Sequence, residues 1–132
     1  MTDTTAETDP LAAARERPDR PVRLRDGDDL DALVAAHDLV LVDFHTKGCT
    51  LCRSIEPVLG NVARATDAVV ALLNPREDLP LVEEYAIRSV PTLVLFERGE
   101  VVDRLAEGFR GTEAIVAFVE RRGEGGEGRE YE

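Results

Sequence analysis

The run Leu39-Val40-Leu41-Val42-Asp43-Phe44 constrains this chain more than any other stretch. Five of its six residues are apolar, which is the pattern of a strand covered on both faces rather than one that alternates between core and water. A strand of that kind needs a packing layer on each side, and the flanking sequence offers helices for both. Before it, Val22 to Arg25 predicts a short edge strand. Leu30, Leu33, Val34 and His37 follow at i, i+3, i+4 and i+7, placing His37 on the apolar face of a helix. After it, Ile55, Val58, Leu59 and Val62 predict a helix from about Thr50 to Ala65, with a kink at Pro57.

The second half repeats the alternation. Ala68 to Leu73 predicts another buried strand, and Leu79 to Tyr85 a short helix starting near Pro80. Thr92 to Phe96 and Val101 to Leu105 read as a hairpin, because Glu97-Arg98-Gly99-Glu100 between them puts glycine in the turn. A last helix carries Ile115, Phe118 and Val119 on its inner face, with Thr112 as the expected N-cap. The order β-α-β-α-β-α-β-β-α predicts an α/β fold with a central mixed β-sheet flanked by helices on both faces.

The 132 residues suit one domain, and 43% apolar content can fill one core. Residues 1–20 lack an apolar period and contain Pro10 and Pro18, so a disordered N-terminal arm is expected there. Residues 21–122 form the expected domain, and 123–132 an expected disordered acidic Gly/Glu tail. In that tail Gly123, Gly125 and Gly128 imitate a dinucleotide-binding glycine pattern. They follow a helix instead of a strand, so the match carries no function.

A formal charge of -11 repels phosphate backbones and anionic lipid headgroups, which excludes nucleic acid and membrane surfaces as partners. No apolar stretch reaches the roughly 20 residues of a membrane helix, and charges stand where a signal peptide would be apolar. A cytoplasmic location is expected. Fifteen of the sixteen basic residues are arginine, Lys47 being the exception. With the scattered acids, this composition resembles that of proteins from salt-loving organisms.

The chemistry concentrates at Cys49-Thr50-Leu51-Cys52, where a predicted strand ends and a predicted helix begins. A thiol at a helix start meets free N–H groups and the positive end of the helix dipole, and both favour thiolate. Thiolate is the nucleophile of disulfide exchange, and a second thiol one turn later can resolve the mixed disulfide. Other uses are weaker. Two cysteines with His37 and His45 far apart make a poor zinc site, so no metal is expected. A structural disulfide closing so short a loop would restrain the unfolded chain little.

Asp43 interrupts the apolar strand six residues before Cys49. It reads either as a buried base for Cys52 or as an acid that reaches solvent at the strand's end. Val90-Pro91 precedes a strong strand, and base rates for X-Pro bonds alone favour trans.

Taken together, Val42-Asp43-Phe44, Cys49-x-x-Cys52, Pro57, Tyr85-Ala86-Ile87-Arg88, Val90-Pro91-Thr92 and the Gly99 turn resemble the thioredoxin family over about residues 22–122. The resemblance implies the thioredoxin fold and protein-disulfide reductase activity. It implies Cys49 as the attacking thiol, Cys52 as the resolving thiol, Asp43 as buried proton acceptor and Pro91 as a cis-proline. Val90, Pro91 and Gly108 would form the groove for substrate backbone, with Gly48 at its edge. The implied partners are protein disulfides and a flavoprotein thioredoxin reductase, acting on a monomer without bound cofactor.

The chain departs from the family's usual Trp-Cys-Gly-Pro-Cys. Gly48 replaces the tryptophan, Thr50-Leu51 replaces Gly-Pro, and His45 stands where a second tryptophan is usual. Leu51 keeps a backbone N–H that proline lacks, and Lys47 adds positive charge. Both stabilise thiolate, which predicts a more oxidising pair than in an ordinary thioredoxin. The missing tryptophan predicts slow reduction of general substrates such as insulin. Two other functions stay open: a glutaredoxin-like reductase using a small thiol, and a non-catalytic adapter whose cysteine pair is a redox switch.

Overall fold

A computed structural model describes residues 17–106 and 111–121. Five strands form one mixed sheet: β1 (Val22–Leu24), β2 (Leu39–Phe44), β3 (Val69–Leu73), β4 (Thr92–Glu97) and β5 (Glu100–Leu105). Their spatial order is β1-β3-β2-β4-β5. Strands β1, β3 and β2 run parallel, whereas β4 is antiparallel to both β2 and β5. The described helices are α1 (Gly27–Ala36), α2 (Thr50–Ala65), α3 (Pro80–Glu84) and α4 (Thr112–Glu120), with a 3-10 turn at Pro75–Glu77.

Every residue of β2 is buried, as its near-continuous apolar run predicts. Alternation then divides the core in two. Leu39 and Leu41 face one layer with Val70, Leu72, Leu93 and Leu95, under Ile55, Leu59 and Val62 of α2 and Ile115, Phe118 and Val119 of α4. Val40, Val42 and Phe44 face the other with Val69, Ala71, Leu73, Val94 and Phe96, under Leu30 of α1 and Leu81 of α3. Each fully buried aliphatic or aromatic side chain contributes about 1.5–3 kcal/mol. Side chains alternate along β2, so Asp43 shares the face of Leu41, toward α2 and α4.

Some expectations are revised. Gly111, not Thr112, caps α4, and the Thr112 hydroxyl instead accepts a hydrogen bond from Asn61 Nδ2 at 3.2 Å. Helix α1 ends at Ala36, so His37 is its extended C-cap rather than part of its apolar face. Helix α2 spans Thr50–Ala65 with Pro57 inside it, the span expected from the sequence. The β4–β5 turn has both Arg98 and Gly99 at positive φ, 52° and 85°. That pair of angles is the twist-matched hairpin geometry that glycine makes accessible. The proposed N-terminal arm up to residue 16, Gly108 and the Gly/Glu tail lie outside the described residues.

Candidate active site

Helix α2 opens with an unusual cap. Cys49 takes the N-cap position in extended backbone, and its Sγ accepts a hydrogen bond from the Cys52 N–H at 3.1 Å. Sulfur thus fills the place that serine or aspartate oxygen usually takes, satisfying one orphan donor of the helix start. The same contact would stabilise a Cys49 thiolate through a directed N–H and the helix dipole. Cys49 and Cys52 are joined as a disulfide with their Cα atoms 5.2 Å apart. Cys49 is half-buried, and Cys52 is buried.

Across from the cysteines, the Val90–Pro91 peptide bond is cis. Base rates alone favour trans, and the family resemblance gives the observed isomer. Cys49 Sγ lies 3.9 Å from the Val90 carbonyl oxygen. The loop before Pro91 is tied down twice. Thr92 Oγ1 donates to the Ser89 carbonyl at 2.6 Å, and the Arg104 guanidinium donates to the Tyr85 and Ala86 carbonyls at 2.8 and 3.1 Å. These bonds hold the Val90 backbone beside the sulfur.

Gly48 precedes the pair at φ +79°, with nothing within 4 Å of where a Cβ would stand. Space is free there, but the left-handed backbone disfavours any L side chain. The change from the usual tryptophan therefore comes with a loop conformation that suits glycine. Beside it, Leu51 is exposed and presents an apolar surface next to Cys49.

Asp43 is fully buried, and among the described residues neither carboxyl oxygen has a hydrogen-bond partner. Of the two readings the sequence left open, burial excludes the acid that reaches solvent. Burial is also the main reason its pKa is pushed up to about 7. The Glu56 carboxylate raises it further, and the Arg23 guanidinium opposes both.

The register explains these neighbours. Arg23, Leu72 and Asp43 are row partners on β1, β3 and β2, and the row continues to Leu93 on β4. Glu56 follows Cys52 by one helical turn and pairs with Arg23 at 3.4 Å. A cleft of about 420 Å³ opens here, lined among others by Arg23, His45, Gly48, Cys52, Glu56 and Leu72. His45 donates its backbone N–H to the Leu73 carbonyl at 3.1 Å. Its imidazole pKa is lowered mainly by burial and secondarily by Arg23, which favours the neutral ring.

The structure brings Cys49, Cys52, Val90, Pro91 and Gly48 together, and Asp43 lies beside Leu72, a cleft-lining residue, in the sheet row. Sequence reasoning missed Arg23 and Glu56. The i, i+4 spacing of Cys52 and Glu56 is a signal that could have exposed the second. Only the sheet register exposes the first.

The thioredoxin family model matches residues 22–121. A thioredoxin of Chlamydia pneumoniae is 32% identical over 101 residues, covering 76% of this chain and 97% of that protein. A thioredoxin of Mycobacterium tuberculosis is 32% identical over 97 residues, covering 72% and 83%. Among solved structures, a point mutant of the thioredoxin from Halobacterium salinarum superposes with a TM-score of 0.76 at 35% identity, covering 83% of this chain and 96% of that one. With the fold, the register and the cysteine pair at disulfide distance all in agreement, the chain belongs to the thioredoxin family and is a thiol–disulfide oxidoreductase.

Proposed function

We propose that this protein reduces disulfides of other proteins, with Cys49 attacking and Cys52 resolving. The observation that carries the reading is the Cys52 N–H donated to Cys49 Sγ at the first turn of α2. The Cys49 thiolate attacks one sulfur of the substrate disulfide, forming a mixed disulfide and releasing one substrate thiolate. Asp43 takes the proton of Cys52, whose sulfur then attacks Cys49 Sγ. The mixed disulfide breaks, the second substrate thiol leaves, and two electrons have passed from the dithiol to the substrate.

Substrate backbone docks against Val90 and Pro91, with Gly48 and Gly108 completing the groove. The 3.9 Å approach of Cys49 Sγ to the Val90 carbonyl supports this placement. A flavoprotein thioredoxin reductase restores the dithiol. The protein works as a cytoplasmic monomer and carries no cofactor of its own. No described helix is long and apolar enough to cross a membrane. Its acidic, arginine-dominated composition and its likeness to the thioredoxin of Halobacterium salinarum support a salt-rich setting.

The test is covalent trapping. Cys52→Ser should accumulate mixed disulfides with many proteins, and the wild type should turn over with reductase faster than with a small thiol. Preference for the small thiol would indicate glutaredoxin-like chemistry. One non-covalent partner, with no trapped intermediates, would indicate a redox-switched adapter. The glycine at position 48, which leaves no aromatic surface there, is what favours that second reading.

A further inference from the structure

Asp43 is the sole charged residue of β2 and, among the described residues, has no hydrogen-bond partner. Burial dominates its protonation, and the charges placed around it adjust what burial sets. The described groups that face it or the adjoining cleft are Arg23 from β1, His45 and Lys47 from the β2–α2 loop, Cys52, Arg53 and Glu56 from α2, and Glu77 from the 3-10 turn. Its row partners Leu72 and Leu93 are apolar, as are Ile115, Phe118 and Val119 of α4.

Within this set, two groups are joined to each other. The Arg23 side chain rises from the row of Asp43 on the same sheet face, one strand beyond Leu72. Adjacent strands are about 4.8 Å apart, so the two Cα atoms are separated by about 10 Å. An extended arginine covers much of that distance. It turns instead to Glu56, at 3.4 Å, with 65% of its side chain exposed.

We propose that the Arg23–Glu56 ion pair is a positioning element of the exchange reaction, in which Glu56 holds the Arg23 guanidinium at the cleft mouth and the two charges tune proton exchange at the buried Asp43. Neither residue touches the reacting sulfurs. Glu56 acts twice, by its own charge and by keeping the cation away from Asp43. Removing it should stabilise the Asp43 carboxylate, and removing Arg23 should destabilise it. The catalytic consequence rests on the reading of Asp43 as the base for Cys52, but the titration itself does not.

The experiment is an NMR titration of the Asp43 carboxyl carbon in the oxidised protein, where the cysteines do not titrate and cannot couple to it. Taking a charge separation on the order of 10 Å for each partner, at an effective dielectric between about 20 and 80, the midpoint moves by about 0.3 to 1.2 pH units. Glu56→Gln should lower the midpoint within that range, and Arg23→Gln should raise it. The double variant should fall between them, and added salt should shrink both shifts. A purely structural role would move thermal stability but not produce opposite, salt-sensitive midpoints. Unchanged midpoints, or shifts of the same sign in both single variants, would overturn the proposal.

The pH profile of disulfide exchange separates this from the role of Asp43. Midpoints that move while the rate profile stays fixed would remove Asp43 as the base and leave the electrostatic coupling intact. A rate profile that Asp43→Asn flattens, with midpoints unmoved in Glu56→Gln and Arg23→Gln, would do the reverse.

Discussion

Asp43 and Phe44 are neighbours in β2, both fully buried, yet they serve opposite faces of one sheet. Phe44 enters a layer of aliphatic and aromatic side chains, where its ring stands 5.5 Å from Tyr85, which in turn meets Phe96 edge-on at 5.8 Å. Asp43 enters the layer beneath α2 without a partner for either oxygen. One face is filled for stability. The other accepts an uncompensated carboxyl at the end nearest the cysteines, a local cost characteristic of functional sites.

The boldest way to sharpen that contrast is to remove the nucleophile. Cys49→Ser should reduce insulin-disulfide or model-disulfide turnover to the uncatalysed rate while leaving the folded circular dichroism spectrum intact. Residual turnover close to wild type would refute the site outright.

Next in size is the structural face. Phe44→Ala empties a fully buried ring position and should cost about 3–5 kcal/mol in denaturant unfolding. Where the folded fraction is saturating, the pH dependence of exchange should keep its shape. A changed pH profile would show that the two faces are not separable.

Asp43→Asn should do the opposite. Exchange near neutrality should fall by about 100-fold, as expected for loss of a proton acceptor. Stability should rise. The folded carboxyl holds its proton up to about pH 7, whereas the unfolded one releases it near 3.8. Between these values the native state binds more protons than the unfolded state. Stability contributed by the neutral form is thus complete below about pH 4 and is lost as pH climbs to 7. The loss is on the order of 4 kcal/mol. Unfolding of wild type and Asp43→Asn at pH 4 and pH 8 should therefore diverge at the higher pH, with the variant more stable. Parallel curves at both pH values would break the claim that burying the Asp43 carboxyl carries a cost.

The smallest effect concerns poise. Leu51→Pro deletes an N–H at the start of α2 and should make the Cys49/Cys52 potential more negative by about 30 mV, equivalent to roughly 1.4 kcal/mol for a two-electron couple. A redox titration giving an equal or less negative value for the variant would reject the thiolate-stabilisation argument.

The sequence made the buried β2 and the cysteine-bearing helix legible because both carry local signals: an unbroken apolar run in one and 3.6-residue spacing in the other. The hairpin turn was legible for a related reason, since Gly99 permits the backbone it adopts. Other features depend on contacts between distant segments. Nothing near Arg23 announces that it stands two strands from Asp43, because register is a property of the assembled sheet. The Val90–Pro91 isomer is set by tertiary surroundings, so residue statistics point the wrong way and only the family pattern corrects them. Thr112 resembles a cap by composition, but the chain enters α4 one residue earlier.

The left-handed backbone at Gly48 also bears on how this site could be altered. A single change to tryptophan would cost about 1–2 kcal/mol in backbone strain, and its ring would leave the chain along a different vector from one mounted on a right-handed or extended residue. Restoring an aromatic platform beside the sulfur thus requires rebuilding the segment from Thr46 to Cys49 rather than exchanging one codon. A D-residue at 48 would find this positive φ in its own favoured backbone region.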